Sequence, residues 1–304
     1  MKKIYLLISI FFVGLTFVQA QQLPQFTQYM YNTISINPAY AGSRGALSIT
    51  ALNRNQWVGL DGAPRTQTLS INTPLRNEKI GLGLSVINDK TGYENYTYIY
   101  SDFSYTINVD AVTTLSFGLK GGFSYYDLDE ELLNDPSILE DPFFRDKFNN
   151  WTPNVGAGVY LSAQDWYIGL SAPKLINNDN NEFNNYVALE QVHYYLTAGY
   201  VFDLNPDWKL RPTALAKATK GAPLSVDISG TLIYDEKLYL GATYRFDDAI
   251  GAFVDFQIFE PLRIGYAYEY TISDLRPYTS GSHEVILIYE LKSRNTRYKS
   301  PRFF

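Results

Sequence analysis

Acid–base or nucleophilic chemistry in this chain would have to start from its two histidines, His193 and His283. A hydrolase would need one of them to activate a serine, yet no serine sits in a G-x-S-x-G turn and no H-E-x-x-H pair offers a zinc site. His283 and Glu284 are adjacent, so on a strand they point to opposite faces. The absence of cysteine removes thiolate ligands, catalytic thiols, disulfides and the attachment residue of a lipoprotein. The densest run of oxygen ligands is Asp127, Asp129, Glu130, Glu131, Asp135, Glu140, Asp141 and Asp146. It lacks the D-x-D-x-D-G order that wraps Ca²⁺, so a solvated loop is expected there. The residue types thus predict a protein with no catalytic constellation, cofactor or metal.

The elements that carry these residues are set by composition and period. Residues 1–20 have the form of a secretory signal: Lys2 and Lys3, then the apolar stretch 4–18, then Val18-Gln19-Ala20 as a small-residue cleavage site. Removing it leaves 23 basic against 31 acidic residues, a net charge of −8, which argues against a nucleic-acid partner. No later segment is apolar for the 18 or so residues of a spanning helix. Aromatic residues make up 16% and charged residues 18% of the chain, a balance suited to lipid-facing strands with aromatic girdles.

Alternation decides the fold class. Along residues 262–270 one face carries Leu262, Ile264, Tyr266, Tyr268 and Tyr270, the other Arg263, Gly265, Ala267 and Glu269. Residues 238–246 divide in the same way, with Leu238, Leu240, Ala242, Tyr244 and Phe246 opposite Tyr239, Gly241, Thr243 and Arg245. About fourteen such segments lie between Gly45 and Lys292, near the length a tilted strand needs to cross a bilayer. Short turns at 108–110, 163–165, 205–207, 234–236 and 260–261 alternate with longer polar connections at 59–64, 88–95, 128–150, 175–188 and 273–282. The expectation is a transmembrane antiparallel β-barrel, all-β, with short periplasmic turns, longer external loops and both termini periplasmic. A soluble β-sandwich or lipocalin-like barrel would alternate too, with the apolar face turned inward.

Of the non-lipid faces, one set is basic (Arg54, Lys120, Lys209, Arg211, Lys217, Arg245, Arg263) and one acidic (Asp227, Asp255, Glu269, Glu284, Glu290). Intermingled signs favour a salt-bridged, closed interior over a selective pore. The other class of function left open is an outer-membrane diffusion channel or hydrophobic-solute transporter.

Ahead of the first strand run QFTQYMYN (25–32) and NPAYAGS (37–43), followed by RNQW (54–57) and GAPRTQTLS (62–70). Together these resemble the opening of the PorP/SprF family of Bacteroidetes membrane proteins, associated with the type IX secretion system. The resemblance implies an outer-membrane barrel of about fourteen strands. It also implies a role in exporting, anchoring or displaying large surface proteins such as gliding adhesins, sometimes with periplasmic secretion or motility partners. The division of the chain follows: signal peptide 1–20, N-terminal plug or periplasmic segment 21–44, barrel 45–292, C-terminal tail 293–304.

Pro38 biases Asn37 away from helix, and Ala41-Gly42-Ser43 forms turns, so residues 21–44 read as ordered turn rather than strand. Their aromatics, including Tyr29, Tyr31 and Tyr40, need burial. One arrangement is a plug in the periplasmic mouth, with Asn32, Asn37 and Tyr40 bonding to inward strand residues. The other is an arm that orders only on a partner. Arg54, Gln56 and Trp57 fit partner recognition, and equally a barrel rim with an interfacial tryptophan.

Overall fold

The structure, a computed structural model, describes residues 24–129, 150–176 and 191–292. The expected signal peptide and C-terminal tail, and most of the acidic run, lie outside these residues. The strands are β1 (Ala46–Asn55), β2 (Arg65–Pro74), β3 (Ile80–Thr91), β4 (Glu94–Asn108), β5 (Thr114–Leu128), β6 (Asn150–Ser162), β7 (Trp166–Ala172), β8 (His193–Tyr200) and β9 (Phe202–Asp203). They continue with β10 (Trp208–Thr219), β11 (Ser225–Tyr234), β12 (Leu238–Arg245), β13 (Ala249–Phe259), β14 (Leu262–Thr271) and β15 (Ser282–Lys292).

Each strand pairs antiparallel with its sequence neighbour, and β15 returns to β1 with Lys292 opposite Ala46 and His283 opposite Asn55. The sheet therefore has no free edge, which is the condition for a sheet in lipid. β8 and β9 both pair with β10, through Gly199–Thr213 and Asp203–Lys209, so they are two halves of one strand interrupted at Val201. The wall is a closed antiparallel barrel of fourteen strands.

Its polarity is inverted relative to a water-soluble barrel. Leu84, Leu119, Leu170 and Ile264 are 62%, 64%, 57% and 38% exposed on the outer face, while Ser70, Ser104, Thr231, Arg211 and Glu284 are buried inside. An apolar belt of this extent is unstable against water and is what a lipid-facing surface requires. Placing a charge in it gives a direct test. Leu84→Arg is expected to lower stability in lipid vesicles by about 2–4 kcal/mol, read as a fall in the urea midpoint. An unchanged midpoint would show that this face does not meet hydrocarbon.

One rim carries short turns. At the β4–β5 connection Asp110 accepts from the backbone N–H of Val112 and Thr113, both at 2.8 Å, and these two donors hold its carboxyl below the usual range. Among the described residues the opposite rim carries longer connections such as 56–64 and 272–281, and one stretch departs from expectation. Residues 88–95 do not form a loop: β3 and β4 run on to Thr91 and Glu94 and join through Gly92, at φ +59°, and Tyr93. Beyond the lipid a strand no longer needs an apolar face, so a polar stretch there can remain paired.

Candidate functional site: a threaded lumen

Before β1 the chain is neither strand nor long helix. It makes three single 3₁₀ turns, Tyr29–Tyr31, Thr33–Ser35 and Pro38–Tyr40. The last follows from its sequence: Pro38 presets the first helical φ, and the Asn37 side chain caps by accepting from the Ala39 N–H at 3.0 Å. Residues 26–41 are buried throughout. The segment runs the length of the lumen, from Pro24 and Gln25 beside the longer-loop rim to Arg44 at the short-turn rim. It spans the barrel between a cavity at each mouth, which corrects the expectation of a plug confined to one mouth.

Its lower part rests on the wall of the first strands. Inward glycines let the backbones touch: a Cβ on Gly118 would sit inside the backbone of Ala39, one on Gly158 would strike the Asn37 amide, and one on Gly81 would strike the Ala41 carbonyl. Around this bed the Asn32 amide donates to Thr68 Oγ1 and accepts from Ser70 Oγ, each at 3.1 Å. Asn37 Nδ2 donates to the Val159 carbonyl at 3.1 Å. Ser104 donates to the Ala41 carbonyl at 2.6 Å, Ser171 to that of Ile36 at 2.8 Å, and Lys120 to that of Ile34 at 3.3 Å. Lys120 is itself paired with Asp102 at 2.7 Å. Tyr40 departs from expectation: its ring meets Tyr160 edge-on at 5.5 Å and its hydroxyl accepts from Arg44 Nε at 2.7 Å. Arg44 in turn is paired with Glu290 at the short-turn rim.

The upper part is held by charge. Arg54 is 1% exposed and reaches Glu269 at 2.8 Å, Glu284 at 3.3 Å and Thr27 Oγ1 at 2.8 Å. Glu284 accepts from the backbone N–H of Thr27 and Gln28 at 3.0 and 2.9 Å, so the carboxylate satisfies two otherwise orphaned donors of the thread. Arg245 continues the network to Asp227 at 2.9 Å and to Glu269 and Asp248 at 3.2 Å, and Gln25 donates to Asp227 at 2.7 Å. Tyr29 donates to Thr213 at 3.0 Å, and the Tyr31 hydroxyl accepts from Arg211 at 2.7 Å. The Arg263 guanidinium lies 4.3 Å from the centre of the Tyr31 ring and 4.6 Å from that of Tyr239, clamping the ring by cation–π attraction.

Of the residues singled out by sequence, Tyr29, Tyr31, Asn32, Asn37, Pro38, Tyr40 and Arg54 are brought together in the lumen. Gln56 and Trp57 are not: they border a cavity of about 470 Å³ at the longer-loop mouth, with Pro24, Gln25, Tyr96 and Tyr98. Lys174, just beyond the end of β7, borders the same cavity; its Nζ lies 5.6 Å from the centre of the Tyr98 ring, and burial pulls its ammonium down to about 7. His193 is also there, its ring Nδ1 2.6 Å from the Gln191 carbonyl. His283 lies apart, with Nδ1 2.6 Å from the Tyr266 hydroxyl. Lys209 is not central either, but paired with Asp203 near the short-turn rim. Asp102 and the glycine bed were missed by sequence reasoning. The signal for Asp102 was Tyr96-x-Tyr98-x-Tyr100-x-Asp102, an inward row hidden because tyrosine reads as apolar.

The two described ends lie at opposite rims. Pro24 and Gln25 sit beside Arg245 and Asp227, at the top of β12 and β11, whereas Lys292 pairs with Ala46 at the foot of β1. The thread therefore traverses the barrel before the first strand begins; the termini themselves, expected on the periplasmic side, lie outside the described residues.

An outward apolar belt, a closed even-stranded wall and an interior occupied by the chain's own N-terminal segment define an outer-membrane β-barrel with a filled lumen. Residues 18–289 match the family described as type IX secretion system membrane protein PorP/SprF, and the chain belongs to that family. Solved structures with a similar outline include the Acinetobacter baumannii outer membrane protein Omp33, at 10% identity over 82% of this chain and 100% of that one, TM-score 0.47. The CymD monoaromatic hydrocarbon channel is similar at 10% identity over 86% of this chain and 93% of that one, TM-score 0.48, and the KdgM porin at 12% over 80% and 99%, TM-score 0.36. No curated protein sequence matches the chain significantly.

Proposed function

We propose that the protein is a non-enzymatic component of the type IX secretion machinery that helps export, anchor or display a surface protein. The longer-loop rim would face the cell exterior and receive the client there, and the short-turn rim would face periplasmic secretion or motility partners. The observation that carries this reading is the filled lumen. A diffusion channel needs a continuous aqueous path, and here residues 26–41 occupy it under a buried ion network. What remains for interaction is the rim, where Gln56 and Trp57 border the outer cavity. Family membership supports a secretion partner.

The test is deletion of the gene followed by a census of proteins on intact cells and in the medium, with affinity purification of the tagged barrel from outer membranes. One surface protein should both co-purify with the barrel and be lost from the surface of the deletion strain. A surface complement unchanged by deletion, together with loss of uptake of a small solute, would instead favour the channel reading.

A further inference from the structure

The thread's contacts divide by chain order. From Asn32 to Gly42 its hydrogen bonds to the wall go to β2, β4, β5, β6 and β7: Thr68, Ser70 and Asn72, then Ser104, Lys120, Val159 and Ser171. From Gln25 to Tyr31 they go to β10, β11, β14 and β15, with Arg54 of β1 as the one contribution from the early wall. The apolar packing divides similarly. Ala39, Tyr40 and Ala41 cluster with Tyr160 and Tyr167 of β6 and β7, whereas Phe26, Tyr29, Met30 and Tyr31 cluster mainly with Leu215, Phe253, Ala267, Ile286 and Ile288 of β10 and β13–β15; Ile36 of the lower thread, Leu52 of β1 and Tyr195 of β8 also join this second cluster.

We propose that the N-terminal thread is an internal template for barrel closure. Its lower part seats on the glycine bed of the early strands, and its upper part then offers Thr27, Gln28, Tyr29 and Tyr31 as a docking strip for the late strands, so that β15 meets β1 around it. Three features support that order. The early wall is near the thread in sequence, so its contacts close shorter loops than those of the late wall. Two of the bed contacts, Gly81 with Ala41 and Gly118 with Ala39, are backbone against backbone, with no side chain to swing aside for a late arrival. The late contacts are mostly charged side chains, Arg211, Asp227, Glu269 and Glu284, that can reach a strip already in place. Closing a β1–β15 pair across more than two hundred residues is costly in loop entropy, and a strip already bound to the early half shortens that search. The inference concerns assembly and does not depend on which client the protein serves.

The experiment compares refolding of the urea-denatured full chain into detergent micelles, with closure read by the heat-sensitive shift in electrophoretic mobility. Lower-seat variants are Gly118→Val and the milder Asn37→Ala, which keeps the assay informative if Gly118→Val does not fold. The upper-anchor variant is Thr27→Ala. On the template reading, lower-seat variants slow closure about tenfold, and Thr27→Ala, which weakens the strip on which the late strands dock, slows it as well by a smaller factor. The proposal is overturned if Asn37→Ala or Thr27→Ala acts on unfolding alone, with closure proceeding at the unmodified rate.

Discussion

Replacing Arg54 with Met should lower the unfolding free energy by about 3–5 kcal/mol, the cost of leaving buried carboxylates without their cation. The size follows from the geometry: the guanidinium bridges Glu269 and Glu284 while all three side chains are 5% exposed or less. Exposed pairs such as Lys237–Asp235, at 65% and 55%, are screened by solvent and would change stability far less if broken. Urea unfolding in detergent measures both. The combination Arg54→Met, Glu269→Gln and Glu284→Gln should recover part of the loss, since amides do not carry the stranded charge. A loss below about 1 kcal/mol for Arg54→Met alone would mean that water reaches the network.

The second large effect concerns conduction. The intact protein is expected to show no stable open state in a planar bilayer, because the thread separates a mouth cavity of about 470 Å³ from one of about 440 Å³ at the short-turn end. A chain lacking residues 24–41 but still folded by the mobility assay should pass a large, stable current. The wall it uncovers is polar, with Ser70, Ser104, Thr213, Ser229 and Thr231 all buried against or near the thread. A large current through the intact protein would overturn the filled-lumen reading. Silence from the folded deletion would show that the wall collapses inward instead.

The wall was largely legible in the sequence because a barrel strand repeats every two residues and lipid enforces the repeat. The division expected for residues 262–270 is observed: Ile264, Tyr266 and Tyr270 are exposed while Arg263, Ala267 and Glu269 are buried. The pattern fades where lipid ends, which is why Asn88 to Lys90 read as loop although they pair with Thr97 to Asn95. The lumen was less legible. Charge signs predicted a salt-bridged interior, but partners across strands depend on register, so Lys120 was placed inward without Asp102. The path of the thread was not legible at all. Irregular chain has no period, and its direction is set by contacts such as Gly118 with Ala39 and Glu284 with Thr27, which join residues far apart in sequence.

Compact domains commonly keep their ends close together, which lets them be circularly permuted or inserted into a host chain. The route of the N-terminal segment removes that freedom here. A covalent bridge from Lys292 back to Pro24 would have to travel the height of an occupied barrel. A permuted chain that joins these two positions directly would keep every strand pairing and still have to pass the join through a lumen that the thread already occupies.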